Sequence, residues 1–120
     1  MPCGSSLITY MTDAEFLSLY QATLKRIEET VEAAINEHDT AIDYESGNDM
    51  LTLSFTNRSV AIVSRQTAIH QLWLAARSGG FHFDYDAQAV DWRCTATGQT
   101  LAVMLQEICR AQGGVDVVFA

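Results

Sequence analysis

A chain of 120 residues with 48% hydrophobic and 18% charged residues and a single proline is long enough to bury one core without disulfides or a structural metal, and too apolar to stay disordered. Its formal net charge of −8, with seven scattered basic residues, excludes nucleic acid as a partner, because phosphate backbones are held by clustered Lys and Arg. Cys3, Cys94 and Cys109 are odd in number and widely spaced, which excludes a disulfide framework or a CxxC-type metal site, and no apolar run reaches the ~18 residues of a membrane span; a cytoplasmic protein is the expectation.

Residues 1–10 read as a leader or non-native extension, either Met1 or Met11 being the start, ahead of a single domain over 11–120. Thr12 with Glu15 forms a capping box. From there Phe16, Leu19, Tyr20, Leu24, Ile27, Val31 and Ile35 recur at three- and four-residue spacing, predicting a helix over 13–36 with one buried stripe. Its outer side carries Lys25, Glu28, Glu29 and Glu32. Between Met11 and Asn48 nine acidic residues stand against Lys25 and Arg26, a net −7, so nearly all the excess negative charge belongs to the first part of the chain.

Six short strands follow, predicted over 42–45, 51–55, 60–65, 69–76, 81–85 and 90–95. Leu51, Leu53 and Phe55 alternate with Thr52, Ser54 and Thr56, and turn chemistry stands at Gly47-Asn48-Asp49 and Ser78-Gly79-Gly80. Thr97 or Thr100 caps a second helix whose stripe is Leu101, Met104, Leu105 and Ile108, stopped by Gly113-Gly114. This order predicts an α+β, two-layer sandwich: two helices on one face of an antiparallel sheet of about six strands, the other face open to solvent.

Two patches carry chemistry. Glu28, Glu29 and Glu32 lie three and four residues apart on a helix, within mutual reach, and Glu37, Asp39 and Asp43 extend them. Clustered carboxylates without a preformed cage suit loosely held hard cations that keep several waters: iron, but equally manganese, calcium or magnesium. A solvated face that merely aids solubility is the alternative reading. The second patch is the strand HQLWLA. Alternation sends Leu72 and Leu74 to one face and Gln71 and Trp73 to the other, and a Trp beside polar groups is what interface hot spots favour, the alternative being a Trp that packs on its sheet neighbours and closes the core. Arg65 and Gln66 precede it. His70 and His82 flank it as candidates for a nitrogen ligand or a pH-sensitive contact. Trp92, Cys94 and Cys109 read as core.

The strings Asp13-Ala14-Glu15-Phe16, Ile27-Glu28-Glu29, Leu51-Thr52-Leu53-Ser54-Phe55, Arg65-Gln66, His70-Gln71-Leu72-Trp73-Leu74-Ala75 and Gly79-Gly80-Phe81-His82-Phe83-Asp84 together resemble the frataxin family over 12–119. Without an Arg-rich, Ser-rich transit segment, the likeness is to the bacterial form. The resemblance implies a non-enzymatic regulator or chaperone of iron-sulfur cluster assembly, monomeric without metal. Glu28, Glu29, Glu32, Glu37, Asp39 and Asp43 would bind ferrous or ferric iron weakly and meet a basic surface of the cysteine desulfurase. The face with Arg65, Gln66, His70, Gln71, Trp73 and His82 would contact the desulfurase and scaffold complex. Bacterial relatives are often richer in Asp after the helix, whereas this chain has Ala33, Ala34 and Ile35, which implies fewer bound metals. A ferroxidase or iron-detoxifying protein is the enzymatic alternative, although the paired Glu-x-x-His motifs of di-iron bundles are missing. A metal-free interaction module is the third reading.

Overall fold

A computed structural model describes residues 11–119. The proposed leader lies outside them.

Helix α1 spans Asp13–His38. The capping box closes its start: Glu15 N–H donates to Thr12 Oγ1 at 3.1 Å, and Thr12 N–H donates to Glu15 Oε1 at 2.9 Å. Phe16, Tyr20, Leu24, Ile27, Val31 and Ala34 form the buried stripe, while Leu19 and Ile35 sit at its margin. The helix runs past the predicted end at 36, because Asp39 takes the left-handed conformation (φ 50°) and its N–H caps the Ala34 carbonyl.

Six strands follow in the predicted order: β1 (Ile42–Gly47), β2 (Met50–Phe55), β3 (Val60–Gln66), β4 (Gln71–Ala76), β5 (Gly79–Asp86) and β6 (Asp91–Cys94). Each pairs antiparallel with the next in one meander sheet. The β1–β2 hairpin turns on Asn48 and Asp49, both at positive φ, as a primed turn requires. The fourth strand begins at Gln71 and not at 69, since Thr67–Ile69 form a 3₁₀ turn and His70 adopts φ 50°. Helix α2 (Leu101–Gly113) starts at the Thr100 cap, whose Oγ1 accepts from Val103 N–H, and ends at Gly114 with φ 66°.

Both helices cover one sheet face. The inward residues of each strand, including Leu51, Leu53, Val63, Leu72, Leu74 and Phe83, meet the helical stripes in one core that Val117 and Phe119 of the tail complete. Trp92 is the largest fully buried side chain. It packs in T-shaped fashion with Phe16 and Tyr85, and its indole N–H donates to Thr23 Oγ1 at 2.8 Å, so the polar atom is not stranded. Buried Gln112 ties α2 to two loops. Its Nε2 donates to the Val60 carbonyl, its Oε1 accepts from Arg77 N–H, and its own carbonyl accepts from Asn57 Nδ2. The outer side of β6 is covered by the returning chain, through Cys94 N–H to the Gln99 carbonyl and a bridge between Arg93 and Thr100. The outer side of β1 has no such cover among the described residues.

Candidate functional site

The outer side of α1 and the neighbouring β1 form a shallow depression lined by Lys25, Glu28, Glu29, Glu32, Glu37 and Tyr44. Four of the six predicted acidic residues therefore share one hollow. Asp39 stands apart as the helix cap. Asp43 lies around the edge: β1 pairs Ile42 with Phe55 on the core side, so alternation turns Asp43 to the open face.

Tyr44, on the helix side, is the member that sequence reasoning missed. Its hydroxyl donates to Glu32 Oε2 at 2.5 Å, and Ser46 Oγ contacts Glu28 Oε1 at 3.5 Å, so β1 props up the carboxylates from below. The alternation of Ile42, Tyr44 and Ser46 carried the signal. The Tyr44 phenol is raised above its ordinary value, first by the hydrogen bond to Glu32, then by burial and by the negative charges of Glu32, Glu28 and Asp43. Its ionisation thus senses the anionic field of the hollow.

Ion pairs lie elsewhere. Arg65, Arg93 and Arg110 engage Asp49, Asp86 and Asp116, His70 hydrogen-bonds Asp13, and among the described residues no Lys, Arg or His pairs with any of the six predicted acids. No group of three or more His, Cys, Asp or Glu side chains forms a ready metal cage among those residues either. A cation in the hollow would be held by one or two carboxylates and keep much of its water.

The open sheet face brings together Gln71, Trp73 and His82. Trp73 and His82 are cross-strand neighbours with parallel rings, centroids 4.3 Å apart. The indole N–H donates to Gln71 Oε1, and Gln71 Nε2 donates to Asp84. Gln66, paired with Gln71, lies at the same end of the face.

Arg65 and His70 do not belong to this face. Arg65 pairs with Leu72 and so points to the helix side, where its guanidinium meets Asp49 at 3.0 Å and also donates to Thr67. His70, turned by its left-handed backbone, stacks on Phe16 and donates from Nε2 to Asp13 Oδ1 at 2.7 Å. His70 thus ties the sheet to the start of α1, and Arg65 ties β3 to the β1–β2 turn. The expected patch is thus smaller by two residues and gains Asp84.

The family model for the frataxin-like domain matches residues 9–115. The chain belongs to the frataxin family. It is 43% identical over 109 residues to the iron-sulfur cluster assembly protein CyaY of Pseudomonas fluorescens, covering 91% of this chain and 96% of that one. Against the protein of the same name from Pseudomonas aeruginosa it is 40% identical over 109 residues, 91% and 97% of the two chains. The solved frataxin of Psychromonas ingrahamii superposes with a TM-score of 0.81 at 32% identity, over 92% of this chain and 99% of its own. Among the described residues no helix is long and apolar enough to cross a membrane.

Proposed function

We propose that this chain is a non-catalytic regulator of iron-sulfur cluster assembly. It carries iron weakly as cargo, docks through its acidic hollow on a basic surface of the cysteine desulfurase, sets its tryptophan face against the scaffold complex and so modulates sulfur transfer. The names of its relatives support the pathway. One observation carries the mechanism: Glu28, Glu29, Glu32 and Glu37 line a single depression, and none is neutralised by a described arginine or histidine.

Like charges three and four residues apart on a helix cost roughly 0.2–0.5 kcal/mol per pair. An arriving cation or basic protein surface removes that cost and gains the attraction, so the crowding that strains the free chain favours the complex. Being exposed, the interaction is screened by salt. Replacing Glu28, Glu29 and Glu32 together by Lys should abolish modulation of purified desulfurase–scaffold turnover across iron concentrations. Unchanged activity curves would sink the reading.

In a second reading the hollow docks on protein without metal, its carboxylates serving only to meet basic groups. Anaerobic calorimetry with ferrous iron separates the two. Saturable heat that the triple Lys variant loses supports iron as cargo, and its absence supports docking alone.

A further inference from the structure

Trp73 is held from more than one side. Its indole N–H donates to Gln71 Oε1 at 3.0 Å, Gln71 Nε2 donates to Asp84 Oδ1 at 3.1 Å, and the His82 ring stacks parallel to the indole. The strand register makes this possible by setting Gln71 opposite Asp84 and Trp73 opposite His82. Arg93 is the cross-strand neighbour of Asp84 on β6, but its guanidinium is turned to Asp86 and the Gly98 carbonyl. Gln71 is thus the hydrogen-bond partner of Asp84 among the described residues.

The chemistry of the three groups gives the relay one direction. An indole only donates, an ionised carboxylate only accepts, and a primary amide does both. Gln71 can join them in one way alone, with its oxygen toward Trp73 and its NH₂ toward Asp84. An amide beside an indole but without the carboxylate would be free to turn toward water.

We propose that Asp84 is a positioning residue for docking: through Gln71 it fixes the orientation of the Trp73 indole before any partner arrives. The proposal rests on the docking reading of this face given above. An anchor ordered in advance loses less rotamer freedom on association. The relay also defines what the anchor offers. With its N–H engaged inside the chain, the indole presents ring surface and edge carbons, which suit apolar or cationic partner groups and not hydrogen-bond acceptors.

The test reverses one link of the relay. Gln71→Glu sets two carboxylates against each other. Adding Asp84→Asn supplies an amide that donates to the new glutamate, whose other oxygen accepts from the indole. Two readouts are needed: ¹⁵N relaxation of the Trp73 indole N–H in the free protein, and affinity for the purified desulfurase–scaffold complex. Gln71→Glu and Asp84→Ala should each mobilise the indole and weaken binding by roughly three- to tenfold. The double variant should return both readouts to within about twofold of the parent. An Asp84→Ala protein with an indole as ordered as the parent's overturns the proposal, as does a double variant no better than Gln71→Glu. If Trp73→Ala binds like the parent, the docking reading itself fails, and the relaxation data then decide separately whether the relay orders the ring.

Discussion

The two tryptophans show how a single residue type takes its role from its partners. Trp92 sends its N–H to buried Thr23 and vanishes into the core, whereas Trp73 sends its N–H to Gln71 and stays on the surface. Gln112 is the clearest polar staple of the interior. Truncating it to Ala would remove the partners of the part-buried Val60 carbonyl and Arg77 N–H, each bond worth about 0.5–1.5 kcal/mol net. Urea unfolding of Gln112→Ala should show a midpoint lowered accordingly, with an unchanged slope. Cys109 offers a pH signature. Burial pushes its thiol up to about 11, so the folded state prefers the neutral form. That preference stabilises the protein fully below the ordinary thiol range near ~8.5 and is lost as pH rises through about 11. Native protein should resist maleimide at Cys109 at neutral pH, and Cys109→Ala should remove part of the alkaline loss of stability. The inward residues were legible because alternation and helical spacing report burial directly. Arg65 was not: its spacing from Val63 already put it on the helix side, but a charged residue beside Gln66 invites an outward reading. The Asp84 relay needed strand register, which spacing within one strand cannot supply.

At the level of elements, helices and turns were readable wherever a cap or glycine marks them, as at Thr12, Thr100 and Gly114. The end of α1 was hidden because an aspartate and not a glycine takes the left-handed cap. The start of β4 was hidden because a histidine does the same. Gly113 is constrained for another reason. A Cβ there would lie 2.2 Å from Cδ1 of buried Phe55, so the last turn of α2 rests directly on the end of β2. Gly113→Ala should destabilise by about 1–3 kcal/mol, the usual cost of overpacking, although alanine is the better helix former. Thermal unfolding beside a Gly113→Ser control of similar bulk checks this, because both should melt well below the parent.

For the molecule as a whole, charge and cover are distributed unevenly. The ion pairs hold loops and element ends together and leave the acidic hollow unmatched. Neutralising Glu32, whose helical neighbours Glu28 and Glu29 are both acidic, by Glu32→Gln should raise the melting temperature slightly at low salt, and the gain should shrink as salt screens the repulsion. The same substitution should weaken binding of ferrous iron or of the basic partner, so stability and function move in opposite directions.

The two sides of the sheet are closed by different means. Returning chain lies along β6, but beside β1 the guards among the described residues are the charges of Asp43 and Glu45 with their neighbours on α1. Backbone groups along such a margin invite a foreign strand unless charge repels it. Neutral side chains at those positions would lift this guard and leave the covered flank of β6 unchanged. Self-association should therefore begin at β1, and removing the charges in Asp43→Asn with Glu45→Gln should hasten it in light-scattering measurements.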